Sequence, residues 1–435
     1  MLKRIMSVIL VMCTAFSLMA GCGGNSASQT GGTNAAETTS SQGGSDGGIE
    51  LVFWVYSDWT GGRQGELFQR WAQEYIDAND NLGKITMIGK NDNELLTGLM
   101  AGVGLPDCFS ASFRDGKKYY QAIDLLDLMP MYEAAEPEYR DGWMKEAIEV
   151  VQIDGGMWAL PFMSYIPIIF RNLDVLEAAG IDPAEGTPTF DVFCEQLEKI
   201  QAVGIDGTHT WAGDWYTAGA ILAGEESLTV GVEDGKTTVK AEQLEATFEM
   251  LERLKPLTNS MKRSDEVAIE AFKNNKLGFI IEGPWNIEGY EDSGVSFDII
   301  PVPSLHEGQR NGGMRGWDAV YGRDTGDEER NELIAGWLKY ITDFERQKEF
   351  TTYVGRPVLR DDVMNDSAVQ ENALARISAE AQHGGMNQMD FFRSTVFWPS
   401  PIADVSMLMY TQNLSSQEAA ETMIEEINAL YAEEG

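Results

Sequence analysis

The sequence predicts an α/β fold organised on a doubly wound sheet, with enough chain for a second domain. Three observations carry that reading. First, Ile49-Glu-Leu-Val-Phe-Trp-Val-Tyr56 is a near-continuous β-rich run, as a parallel strand buried on both faces requires. Second, helical and strand-type patterns alternate after it in the β-α-β-α-β order that winds such a sheet. Third, the chain has 435 residues at 43% hydrophobic composition, ample for two cores of ordinary size.

The first strand ends in the turn-rich Ser57-Asp-Trp-Thr-Gly-Gly62. Leu67, Trp71 and Tyr75, flanked by Phe68, Ala72 and Ile76, then form one apolar helical stripe. A strand at 84–88, a helix around 94–100 and a short strand at 105–109 complete this unit. Asp154-Gly155 marks a hairpin turn, 165–170 is a second apolar strand, and 172–179 is a helix stopped by Gly180. Helix follows at 189–203, strand at 208–211, helix at 214–223, and a hairpin at 228–240 around Asp234-Gly235. Helices at 241–254 and 265–275 lead into the apolar strand 277–281, which ends at Glu282-Gly283. Pro284 suits a first helical position, where its missing amide hydrogen has no partner to lose. Trp285 is thereby delivered to a strand–helix junction, where α/β sheets bind ligands, or else it is simply core. Residues 297–303 read as a strand passing between domains, 333–341 and 344–353 as helices. Ser415-Ser-Gln-Glu418 fits a capping box opening a last helix, striped by Met423, Ile424, Ile427, Leu430 and Tyr431.

At the amino terminus, Lys3 and Arg4 precede an uncharged apolar run over 5–20, then Gly21-Cys22. This is a secretory signal, too short for a comfortable permanent span. Leu18-Met-Ala-Gly-Cys22 resembles a lipobox, so residues 1–21 are expected to be cleaved and Cys22 lipidated; an ordinary cut near Ala20 is the alternative. Residues 23–48 carry no large apolar side chain and cannot fold alone. With Cys22 they make a 22–48 tether whose coil span is roughly 25–30 Å.

A net charge of −37 argues against nucleic acid and against gathering anionic ligands by bulk attraction. Cys108 and Cys194 lie in apolar settings and are expected as buried free thiols rather than a disulfide. His209, His306 and His383 are far apart without patterned partners, so neither a metal nor another cofactor is expected.

Several segments in order resemble one family. They are Met100-Ala-Gly-Val-Gly-Leu-Pro-Asp-Cys-Phe109, Gly156-Met-Trp-Ala-Leu-Pro161, Phe170-Arg-Asn172 with Ala179-Gly-Ile181, Thr187-Pro-Thr-Phe190, Gly278–Trp285 and 415–431. Together they are similar to the family 1 extracellular solute-binding proteins of ABC sugar importers, the group of maltodextrin-binding protein. The resemblance implies an α/β, two-lobed periplasmic-binding-protein-like fold (type II). Its hinge would be crossed three times, near 163–166, 299–302 and 355–358. One lobe would comprise 49–163 plus 301–356, the other 164–300 plus 357–435. It further implies a monomeric, non-enzymatic receptor outside the cytoplasm, held at the outer face of the cell membrane by its lipid. A carbohydrate and the permease subunits of an importer would be its partners.

A sugar presents flat C–H faces and a rim of hydroxyls, so its site needs aromatic platforms and side chains that donate and accept hydrogen bonds. The resemblance makes Trp285 the first platform. Trp398, in Phe397-Trp-Pro-Ser400, stands at a second stacking position or packs between helices. Asp58 and Trp59 fall in the loop that contacts ligand. Ser110, Ser112 and Asp115 follow the third strand, and Tyr165 should face the cleft at the hinge. Trp211, Asp214, Trp215 and Tyr216 form an aromatic–acid cluster of which Trp215 is assigned to the cleft. Glu282 either accepts sugar hydroxyls or closes a hinge salt bridge. Trp317 and Asp318 should face the cleft from the first lobe. No basic cluster converges with them, which favours a neutral carbohydrate. The competing readings are a secreted glycoside hydrolase, which needs two carboxylates at fixed separation, and a receptor for a polyol or other small polar metabolite.

Overall fold

The computed structural model describes residues 48–434, except 211–214, 229–230, 263–265, 373–374, 377–385 and 388–399. β1 (Ile49–Tyr56), α1 (Gly62–Asp77), β2 (Leu82–Lys90), α2 (Asp92–Ala101) and β3 (Cys108–Ser112) realise the expected alternation. β1 runs parallel to β2 along its whole length and to β3 through Phe53–Cys108 and Trp54–Phe109. Spacings of three and four residues put Leu67, Phe68, Trp71, Ala72 and Tyr75 on the buried face of α1. α2 opens on a capping box between Asn91 and Glu94 and ends at Gly102, whose φ of 66° a side chain would strain.

β4 (Gln152–Ile153) and β5 (Gly156–Met157) form a hairpin turned by Asp154 and Gly155, both with positive φ. The strands expected to end at Pro161 and to span 165–170 are β6 (Leu160–Tyr165) and β7 (Ile168–Asn172), so the break falls at Ile166-Pro167 rather than before Tyr165. Pro167 cannot donate to a ladder, and the chain changes cores here: Met163 belongs to the first and Ile166 to another. Further on, Thr189 caps the helix Phe190–Ala202 by accepting from the Val192 amide at 3.3 Å. β8 (Thr208–Thr210) is followed by the hairpin β9 (Val232–Glu233) and β10 (Lys236–Thr237), then the helix Ala241–Leu254. β11 (Thr258–Lys262) pairs with β8. β12 (Phe279–Glu282) and β13 (Phe297–Pro301) flank β7, antiparallel to it. Alternate residues of this small sheet feed two different cores: Ile169, Phe279 and Ile281 face one, while Ile168, Phe170 and Ile280 face the other. That is why its strands read as continuous apolar runs.

β14 (Met314–Gly322) returns to the first sheet, antiparallel to β3 on one side and β6 on the other, and β15 (Met386–Asn387) pairs in parallel with its first two residues. The last helix is Ser416–Glu434. Its capping box is formed: the Glu418 amide donates to Ser415 Oγ at 3.3 Å and the Ser415 amide to Glu418 Oε2 at 3.0 Å.

Two of the crossings fall later than the sequence suggests. After β13, Val302 and Leu305 still pack in the second lobe, and the Gly313 amide donates to the Ala220 carbonyl at 2.7 Å. The return to the first lobe is therefore at β14 rather than at 301. Residues expected in the second lobe from 357 onward also behave otherwise, because Val358, Leu359, Val363, Met364, Val369 and Ala375 pack in the first core. Arg360 explains why. Its fully buried guanidinium lies 4.8 Å from the Trp143 ring and 5.3 Å from that of Tyr139. It donates to the carbonyls of Tyr139 and Thr342 and pairs with Asp362 at 2.6 Å. Cys108 and Cys194 are free and buried, one in each lobe's core.

Candidate functional site

A cavity of about 380 Å³ opens between the loop after β1 and the junction after β12. Asp58, Gln64 and Arg356 line it from the first lobe, Trp285, Glu288 and Asp292 from the second. The first wall is a single helical turn, Ser57–Thr60, running into α1. Gly62 has a φ of +57°, and a Cβ there would meet the Glu288 carboxylate at 2.6 Å. This close approach lets the Arg63 amide donate to both Glu288 oxygens, at 3.0 and 3.1 Å. The Arg63 guanidinium pairs with Glu291 at 2.6 Å. α1 has no side-chain cap from its own loop. A carboxylate from the opposite lobe thus satisfies a first-turn amide and meets the positive end of the helix.

The second wall follows from the sequence of β12. Four buried residues end at Glu282, Gly283 is extended, and Pro284 starts a turn that carries half-buried Trp285. The indole folds back over Gly283 so closely that a Cβ there would lie 2.1 Å from the ring. Tyr165, at the end of β6, covers Gly316 in the same way, with 1.9 Å to a hypothetical Cβ. The two rings stand edge to face, 6.5 Å between centroids. Glycine at both positions is what allows aromatic faces to sit on backbone here.

Across the cavity, Asp58 pairs with Arg356 at 2.6 Å; Arg356 is only 5% exposed. Arg356 follows Gly355, which ends the helix Phe344–Val354 in the left-handed region. Asp58, Glu288 and Asp292 outnumber this one guanidinium, which disfavours an anionic occupant. The arrangement offers one aromatic face, carboxylates that accept, and a guanidinium and carboxamide that donate, a set suited to binding a polyhydroxylated molecule.

The remaining candidates divide. Trp59 and Trp317 are core. Trp59 is fully buried against Phe68 and Phe162, at 5.2 and 4.9 Å, because the turn after β1 folds its ring inward. Trp317 is buried edge-on to Phe113, since alternation along β14 points it into the first core. Ser110 and Ser112 on β3, Asp115 in the helical turn after it and Asp318 on β14 are buried and do not line the cavity. Asp115 accepts from Lys118 at 2.7 Å and Asp318 from the Tyr56 hydroxyl at 3.4 Å. Glu282 is buried and accepts the Gly283 amide at 3.0 Å; burial and then its nearby charge raise the Tyr290 phenol. Trp215 begins the helix Trp215–Leu222. Trp398, Trp211, Asp214 and Cys22 lie outside the described residues. The sequence alone does not mark Gln64, Arg356, Glu288 or Asp292. The only available signals were the Pro-Trp motif three residues before Glu288 and the expected hinge crossing around Arg356.

A family model described as bacterial extracellular solute-binding protein matches residues 72–376. The chain is 24% identical over 163 residues to an arabinooligosaccharide-binding protein of Bacillus subtilis, spanning 37% of this chain and 36% of that protein. It is 24% identical over 251 residues to a maltodextrin-binding protein of the same organism, spanning 54% and 56% respectively. These matches cover about a third to just over half of the relatives' length. Among solved structures, the GacH receptor of Streptomyces glaucescens, crystallised unliganded and with acarbose, superposes with a TM-score of 0.74. Identity is 18%, with 88% of this chain and 98% of that one covered. This likeness establishes the α/β, two-lobed binding-protein fold that the sequence motifs imply.

Proposed function

The chain belongs to the bacterial extracellular solute-binding proteins, and from that premise we propose that it captures a neutral sugar or short oligosaccharide between its lobes and delivers it to the permease of an ABC importer. One observation carries the reading: half-buried Trp285, seated on Gly283, shares a cavity of about 380 Å³ with Asp58, Gln64 and Arg356 of the other lobe. That volume lies at the lower end for small-molecule sites. Relatives named for arabino-oligosaccharide and maltodextrin binding support the carbohydrate class. Closure on ligand follows from affinity for the closed state over the open one, and Glu288 can cap α1 only when the lobes meet.

We assign 49–165 plus 314–376 to one lobe and 166–313 plus 400–434 to the other. Cys22 is the proposed lipid attachment point, with 23–48 as the tether to the outer face of the membrane. Trp398 and Trp215 remain proposed ligand contacts on the strength of the family resemblance. Titrating tryptophan fluorescence with maltotriose, arabinotriose and polyols tests the reading. Saturable change, lost in Trp285→Ala, with the sugar recovered intact, is the expected result. Cleaved sugar would replace the receptor by a hydrolase, and binding of polyols alone would move the ligand class.

A further inference from the structure

Gln64 is the third residue of α1, and among the described residues its buried side chain has no internal hydrogen-bonding role. It is only 2% exposed, yet neither the oxygen nor the nitrogen of its carboxamide has a hydrogen-bond partner among the described residues. It lines the same cavity as Trp285 and Arg356. The Nε of Arg356 is also buried and unpartnered, while Nη2 of the same group is engaged by Asp58. Buried polar groups are almost always satisfied, so one left open at a cavity wall is available to bond whatever occupies the cavity. At this helical position a glutamate or glutamine commonly caps the helix start, but Gln64 makes no such bond. Its neutral carboxamide supplies donors as well as an acceptor.

We propose that Gln64 is a specificity-determining residue that recognises a pair of adjacent hydroxyls on the ligand, with Arg356 Nε as an additional donor. One hydroxyl donates to the carboxamide oxygen while its neighbour accepts from the carboxamide nitrogen. A vicinal diol offers that pair in a fixed geometry, and an isolated hydroxyl does not. A carboxylate or phosphate would satisfy Arg356 but leave the Gln64 oxygen facing another acceptor, beside three carboxylates. Loss of a ligand hydroxyl is costly where the site is built to bond it, because the protein group is then buried unpaired. The proposal rests on the reading of this cavity as the ligand site.

The test compares the wild-type chain with Gln64→Met, which keeps length and helix propensity but removes both polar atoms. Calorimetric titration uses maltotriose and arabinotriose together with their single-deoxy analogues. Gln64→Met should weaken binding about ten-fold. At least one deoxy analogue should bind wild type about ten-fold more weakly than its parent, yet bind Gln64→Met as well as its parent does. Equal affinity of the two proteins for a sugar that binds wild type would overturn the proposal. Thermal melting without ligand gives an independent reading: a carboxamide with no internal partner predicts a Tm for Gln64→Met at or above wild type. A clear fall in Tm would reveal a structural partner and also overturn it. If neither trisaccharide binds wild type, the carbohydrate reading fails, and the melting comparison alone decides whether Gln64 is free of structural duty.

Discussion

In the first lobe, Trp59, Trp71 and Trp337 are fully buried and interlocked with Phe53, Phe68 and Phe162. In the second lobe, Trp285 stands half-exposed on a glycine at the rim of the cavity. The same residue type thus serves cohesion in one lobe and a candidate ligand face in the other. The cores differ in parallel. Among the described residues, the first is one large cluster on a six-stranded sheet with a small satellite at Ala135, Tyr139 and Trp143, whereas the second is divided by its three-stranded sheet into two. Aromatic content alone says little about where a ligand sits; what the ring rests on says more.

The largest effect is expected at Arg360. Arg360→Ala leaves the Tyr139–Trp143 pocket open and Asp362 unpaired, and should cost about 3–5 kcal/mol. Denaturant unfolding should show the first lobe's transition, reported by Cys108 labelling, moving to lower concentration than the second's, reported by Cys194. Simultaneous labelling would mean the lobes do not unfold separately. Trp285→Ala should leave unfolding nearly unchanged but weaken sugar binding about ten- to hundred-fold by fluorescence or calorimetry. The converse result, lost stability with kept affinity, would return Trp285 to the core.

A smaller effect is expected at the contact between lobes. Glu288→Ala removes the carboxylate cap on α1, worth about 1 kcal/mol, so ligand affinity should fall roughly fivefold. Small-angle scattering should show the ligand-free protein more extended than wild type; identical scattering would mean the contact does not bias closure. The smallest effect concerns the thiols themselves. Burial pushes Cys194 up to about 11 and Cys108 well above its ordinary value. The folded state therefore holds these protons after the unfolded chain has released them, so stability should fall as pH rises from about 9 toward 11. Cys108→Ala with Cys194→Ala should flatten that alkaline limb in a pH series of melts.

Much of the framework was legible because it depends on local pattern. The helix Ala241–Leu254, the Ser415–Glu418 capping box and the two Asp-Gly turns follow from spacing and backbone chemistry within a few residues. Which core receives each later segment was not legible. Apolar strands such as β13 and β14 carry no mark of which core receives them, and the retention of 358–375 in the first lobe depends on Arg360 meeting rings more than 200 residues earlier. The site was half legible. Asp58 and Trp285 follow from a loop and a motif, but the loop's own Trp59 turns inward. Gln64, Arg356 and Glu288 come together only in space, and Gln64 sits in an ordinary amphipathic helix with no sequence signal of an open carboxamide.

The placement of β14 has a consequence for how the protein is made. This strand completes the first sheet by pairing with both β3 and β6, but it is synthesised only after the whole small sheet of the second lobe. A growing chain can therefore assemble β7, β12 and β13 while β3 and β6 still present open edges to solvent. The lobe that begins the chain thus cannot complete its sheet until a strand from beyond its neighbour has been made.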